Sequence, residues 1–218
     1  MAGWVRFLRN TPCAVLLGVQ LAGVLLYPFM EGSSAGRAAF AMFGIVVLGI
    51  TVVAIRATPF LSWVSVLIAI PAFVLLVSQI FVPGLELFAW SSGFEAALYL
   101  YAAFSMLAYM LKDEYVSADE LFAIGTVFTL FAWSFAYIFV VIQAIEPGSF
   151  GGYPGGNRSW MDLLFLSFTT LSSTGLSDIV PIGSHARSVV MIEEVMGVFY
   201  IAMIVTRLVG LRAQRRRV

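Results

Sequence analysis

The stretch SFTTLSSTGLSDIVP, residues 167–181, crowds hydroxyl side chains around one glycine and one aspartate and closes on a proline. Hydroxyl and main-chain carbonyl oxygens are neutral, hard donors. A ring of such oxygens can replace the hydration shell of a metal cation. Long apolar segments flank the stretch on both sides. Irregular backbone between membrane spans is tolerated only where protein buries it or water reaches it. Other chemistry is poorly served. Cys13 is the single cysteine and His185 the single histidine, so neither a disulfide nor a thiolate or imidazole metal cluster is expected. No paired acids and no nucleophile beside a base stand out, so no enzymatic activity is expected.

The rest of the chain is built to hold that stretch in a membrane. Of 218 residues 61% are hydrophobic and 11% charged, with mean hydropathy +0.98. A soluble domain carries about 25% charged residues. Basic and acidic residues balance at 12 each, which gives no reason to expect nucleic acid as a partner. A spanning helix needs about 20 apolar residues. Six runs qualify as expected spans: 13–30, 38–55, 60–82, 85–111, 121–143 and 187–211. The first could mimic a signal peptide, but it is long and lacks a clear cleavage site, so a retained helix is expected. EGSSAGR, the segment around Pro59, and Pro83-Gly84 read as short turns. KDEYVSADE (112–120) reads as an interfacial linker.

Residues 144–186 differ from the other breaks. EPGSFGGYPGGNR (146–158) is expected to be irregular. SWMDLLFLSFTTL (159–171) is apolar but too short to span, which suits a re-entrant helix. Ser159 and Asp162 have the spacing of a capping box at its start. Such a helix would turn the negative end of its dipole toward the STGLSD segment.

Orientation follows from the basic residues. Six alternating spans place Arg6, Arg9, Arg56, Lys112, Arg207, Arg212, Arg215, Arg216 and Arg217 on one side, with Arg37, Arg158 and Arg187 opposite. Both termini are therefore expected in the cytoplasm and residues 144–186 outside. The tail LRAQRRRV suits an anionic inner surface, with simple topology anchoring the plainer role. It is expected to leave no room for a cytoplasmic ligand-binding domain.

The order of outer helix, re-entrant helix, polar loop and inner helix resembles the potassium-channel pore module. Trp160, Asp162, FLSFTTLSSTGLSDIVP and ARSVVMIEEVMGVFYIAMIVTRLVGL carry the resemblance, over about residues 121–211. Asp178, Pro181, Arg187, Glu193, Gly197, Tyr200 and Arg207 fit its bacterial branch. The resemblance implies an all-α integral membrane protein with six transmembrane helices and one pore helix and filter loop, assembled as a homotetramer. Residues 1–120 would form a four-helix region with its linker, and residues 121–218 the pore domain. It also implies a bacterial plasma (inner) membrane location.

Carried over position by position, the filter is Ser173, Thr174, Gly175, Leu176, Ser177 and Asp178. Family members have Thr-Val-Gly-Tyr-Gly-Asp there, so Leu176 stands for tyrosine and Ser177 for the second glycine. A positive-φ backbone at Ser177 would cost about 1 kcal/mol or more. Phe165 and Leu166 would supply an apolar cuff for Leu176. Ser172 and Glu193 are expected to support the filter. Gly197 is a candidate hinge or close-packing position, and Val198, Ile201 and Val205 a candidate apolar gate. The single-glycine pattern is also similar to filter loops of Trk-type potassium uptake transporters. That likeness implies one or two cation sites built by Ser173, Thr174 and Gly175, below a wider or collapsed upper filter at Leu176 and Ser177, with the Leu176 carbonyl as a further candidate ligand.

The expected function is passive conduction of potassium or another monovalent cation, with weak potassium selection. Membrane lipid and permeant cations are the other partners, and no cofactor is implied. The alternative is a non-conducting pore fold with a structural or regulatory role. A secondary transporter would show paired broken helices, and only one re-entrant segment is visible. The fourth span lacks periodic arginines, which argues against voltage sensing. Glu95 lies about ten residues into that span without an obvious basic partner. Glu194 neighbours Glu193 early in the sixth span, and His185 is expected in a solvated loop.

Overall fold

The computed structural model describes residues 11–30, 34–55, 62–81, 87–112, 118–152 and 156–215. Arg6, Arg9, Arg56, Pro59, Pro83, Gly84, residues 113–117, Arg216 and Arg217 lie outside the described residues, as do the side chains of Arg37, Lys112, Arg212 and Arg215.

Each long apolar run forms a helix: α1 (Pro12–Met30), α2 (Ser34–Ile55), α3 (Ser62–Phe81), α4 (Phe88–Lys112), α5 (Ala118–Ile145) and α7 (Ser184–Arg215). The short helix α6 (Trp160–Leu171) precedes α7. Backbone groups cannot be satisfied by lipid, so apolar runs of this length must close their hydrogen bonds internally. Among the described residues, five helices are long and apolar enough to cross a membrane: α1, α2, α4, α5 and α7. The apolar part of α3, Trp63–Gln79, is shorter, with 17 residues. The fold is that of an all-α membrane protein.

Packing follows a ring. Helix α1 lies on α2, α2 on α3, α3 on α4, α4 on α5, and α5 returns to α1. The α4–α5 seam is the most extensive of these. At its centre Trp133, Tyr99 and Tyr137 are fully buried. Tyr99 stands edge-on to Trp133, with ring centroids 6.0 Å apart, and Trp133 edge-on to Trp160 of α6 at 5.1 Å. Edge-to-face geometry sets the positive ring edge against the negative face.

Hydroxyls stitch α5 to its neighbours. Thr126 donates to the Cys13 carbonyl at 2.8 Å, Thr129 to Gln20 Oε1 at 2.7 Å, and Ser134 to the Ala96 carbonyl at 2.9 Å. The Cys13 N–H donates to Asp119 at 3.2 Å, which satisfies one open donor at the start of α1. Buried Cys13 is thus packing material, held through its backbone.

The glycine-rich segment after α5 is not wholly irregular. Phe150–Gly151 (β1) pairs antiparallel with Val180–Pro181 (β2). The Ser149 carbonyl also accepts from Ile182 N at 2.7 Å and Gly183 N at 3.1 Å. This clasp joins the end of α5 to the residues just after the STGLSD loop.

Candidate functional site: the loop after the short helix

Helix α6 starts where the capping box was expected. The Ser159 hydroxyl accepts from the Asp162 N–H at 3.2 Å, and Asp162 Oδ2 accepts from the Ser159 N–H at 3.0 Å. One residue earlier, Gln143 of α5 grips the Arg158 backbone at both ends. Arg158 N donates to Gln143 Oε1 at 2.7 Å, and Gln143 Nε2 donates to the Arg158 carbonyl at 3.0 Å. The start of α6 is therefore fixed to the end of α5.

The other end of α6 explains the loop. Ser172 is the C-cap, Ser173 N donates to the Thr170 carbonyl at 2.9 Å, and Thr174 N donates to the Thr169 carbonyl at 3.0 Å. Those two bonds make a Schellman termination, whose central residue adopts a left-handed conformation. That residue is Ser173, with φ 59°. Gly175 follows at φ 62°. The filter alignment placed the cost of a positive φ at Ser177. It falls instead on Ser173, because the helix end dictates the backbone there. Ser177 takes a different role, its hydroxyl accepting the Ile179 N–H at 3.1 Å.

The Thr169 carbonyl gathers several donors: the N–H groups of Thr174 and Gly175 (3.1 Å), the Thr174 hydroxyl (3.2 Å) and, more weakly, the Ser172 hydroxyl. The Ser172 hydroxyl also donates to the Phe168 carbonyl at 2.7 Å. The side-chain oxygens of Ser172 and Thr174 thus serve the local backbone. Main-chain carbonyls remain. That of Gly175 accepts from Ser177 N at 3.1 Å. Among the described residues, the carbonyls of Ser173, Thr174 and Leu176 accept no hydrogen bond. Residues 173–176 are exposed, Leu176 to 76%. Among the described residues of one chain, none forms an apolar cuff around Leu176. Leu166 is buried in the core, whereas Phe165 is about half exposed. Asp178 is exposed beside the clasp.

Two contacts set the depth of this loop. A Cβ placed on Gly197 of α7 would lie 2.1 Å from the Leu171 carbonyl oxygen. Only glycine lets the last turn of α6 seat there. Gly197 lies about 20 Å along α7 from Ser184 at 1.5 Å per residue, at the middle of the apolar span Ser184–Gly210. Second, the Ser167 hydroxyl of α6 donates to the Ala132 carbonyl of α5 at 2.8 Å and is hydrogen-bonded to the buried Glu193 carboxyl of α7. Ser167 therefore joins three helices behind the loop. Tyr200 adds a bond from α7 to the Ile124 carbonyl of α5 at 2.6 Å.

Val198, Ile201 and Val205 lie on α7, all exposed in the single chain, together with Val195, Phe199 and Val209. Glu194 is exposed as well. His185 Nδ1 lies 3.2 Å from Glu146 Oε2, pairing the start of α7 with the end of α5. Gln143 and Ser167 were not among the expected site residues. Their partners lie on other helices, and no local spacing announces them.

A family model described as an ion channel matches residues 96–211, just over half of the chain. The chain belongs to the ion channel family. No curated protein and no solved structure matches it. The matched region of this ion channel runs from mid-α4 through α5, α6 and the loop into α7. It contains the Schellman turn, the Gly197 seat and the Ser167–Glu193 bond.

Proposed function

We propose that the chain is one subunit of a monovalent cation channel in which four copies meet around an axis at Gly175. The single observation that carries this reading is the trio of unpaired, exposed carbonyls at Ser173, Thr174 and Leu176, set deep along α7. Such groups need water or a cation at that depth. The ion-channel match and the resemblance to potassium channels support the same reading. Conduction is passive electrodiffusion, and Asp178 supports the mouth. Potassium selection is weak, because Leu176 and Ser177 replace the residues that brace a full filter. The exposed apolar residues of α7 face lipid or neighbouring copies, with Val198, Ile201 and Val205 at the constriction. Both termini face the cytoplasm, and the assembly sits in the plasma (inner) membrane.

The engagement of the Ser172 and Thr174 hydroxyls with the Thr169 carbonyl favours a second reading, a pore fold that does not conduct. Tracer uptake into liposomes carrying the purified protein separates the two. The proposal expects uptake of both potassium and sodium, at rates within about tenfold of each other, a discrimination of about 1.4 kcal/mol. Uptake of neither ion would remove the channel reading and leave the second.

A further inference from the structure

A cavity of about 750 Å³ opens at one end of the helix ring. It lies where α1, α3 and α5 finish and α2, α4 and α6 begin, with Tyr27, Phe40, Gln79, Phe88 and Trp160 among its walls. Its size falls within the range of small-molecule sites, about 300–1,000 Å³. Most of the wall is apolar or aromatic, and two polar residues in it are already satisfied. Gln79 donates to Ser91 Oγ at 2.9 Å, and Gln143 holds the Arg158 backbone.

Three residues lining the same cavity carry buried polar atoms without a hydrogen-bond partner. Both carboxyl oxygens of Glu95, 1% exposed, lack a hydrogen-bond partner. The Tyr137 hydroxyl faces Glu95, but no bond of normal geometry joins them. Arg158, 7% exposed, donates through Nη2 to the Gly152 carbonyl at 3.2 Å and leaves Nε unpartnered. The indole Nε1 of Trp160, beside it in sequence, is also unpartnered. Glu95 and Arg158 make no ion pair with each other.

An acid without a hydrogen-bond partner and a guanidinium with its Nε unpartnered and no ion pair are each costly in one cavity, because buried polar groups need partners. They are also complementary to one kind of molecule. Glu95 sits about 10 Å along α4 from Phe88 at 1.5 Å per residue, while Arg158 and Trp160 mark the start of α6. We propose that this cavity binds a small zwitterion, its ammonium on Glu95 and its anionic group on Arg158 and Trp160 Nε1. The aromatic wall suits the ammonium by cation–π attraction. A free amino acid and the ethanolamine phosphate headgroup of a lipid share this chemistry. The occupant would touch both the N-terminal helices and the start of α6. The site does not depend on whether the loop at Gly175 conducts.

The full chain in phosphatidylglycerol nanodiscs would be titrated calorimetrically with glycine, β-alanine, γ-aminobutyrate and phosphoethanolamine, which space the two charges differently. Methylammonium and acetate, each carrying one charge, serve as comparators. In a second arm, protein from membranes containing phosphatidylethanolamine is washed into the same nanodiscs, and retained lipid is quantified by mass spectrometry. The expected result is saturable binding of at least one soluble zwitterion, with the comparators weaker by about tenfold or more, or retention of phosphatidylethanolamine stoichiometric with the chain. Glu95→Gln should abolish either signal without lowering thermal stability, since it replaces a carboxyl that has no hydrogen-bond partner with a side chain of the same shape. Arg158→Gln should weaken binding as well. A cavity filled by water alone would bind no soluble zwitterion and retain no phosphatidylethanolamine, and that would overturn the proposal. Binding unchanged by Glu95→Gln, or methylammonium binding as tightly as any zwitterion, would overturn it too.

Discussion

Gly197→Ala is the substitution that tests the seat of the short helix. The added methyl would lie 2.1 Å from the Leu171 carbonyl oxygen, 2.9 Å from its carbon and 3.0 Å from its Cα. Carbon–oxygen contacts close at about 3.3 Å, so the end of α6 must move by roughly 1.2 Å. The obstacle is backbone, so no rotamer change relieves it. Overpacking of this kind costs about 1–3 kcal/mol. The strain falls one residue before the Ser172 cap, so it passes directly into Ser173 and Gly175. Thermal unfolding of the purified protein should therefore show a lower midpoint, and tracer flux should change with it. Gly210→Ala is the matched control. Nothing lies within 4 Å of its added methyl, and alanine gains up to about 1 kcal/mol over glycine in a helix. A Gly197→Ala protein as stable as the parent, with unchanged flux, would refute the reasoning. One more stable than the parent but altered in flux would favour a hinge at Gly197 instead.

Three further substitutions probe the same region. Ser173→Gly relieves a left-handed serine and should raise stability by about 1 kcal/mol, read by thermal unfolding; a loss would mean that the Schellman turn does not form. Ser167→Ala leaves the buried Glu193 carboxyl and the Ala132 carbonyl short of a partner and should cost about 1–3 kcal/mol. Pairing it with Glu193→Gln in a double-mutant cycle should give a coupling of at least about 0.5 kcal/mol, and strict additivity would deny the bond. Leu176→Tyr combined with Ser177→Gly should shift the permeability ratio of the channel toward potassium, measured by competing tracer fluxes. Unchanged ratios would mean that those positions do not set selection.

The helices were legible because each apolar run had to close its own hydrogen bonds, and the start of α6 was legible because Ser159 and Asp162 carry a local signal. The place of positive φ was not. Alignment with a two-glycine filter drew attention to Ser177, whereas the termination of α6 at Leu171 puts the left-handed residue at Ser173. The clasp between Phe150–Gly151 and Val180–Pro181 was invisible for another reason, since two-residue strands have no periodicity to read. Glu95 was recognised as an acid without a basic partner. The cavity around it is assembled from the ends of several helices and appears in no single stretch of sequence. The contact of Gly197 with the Leu171 carbonyl, 26 residues earlier, has no signal in the sequence around either residue.

The circuit from α1 through α4 and back by way of α5 has a mechanical consequence. A paddle attached along one edge can swing; a hoop cannot move one stave without deforming its neighbours. Because α5 is both a stave of that hoop and the wall on which α6 leans, a disturbance anywhere around the circumference reaches the loop as a change in hoop shape rather than as the stroke of a lever.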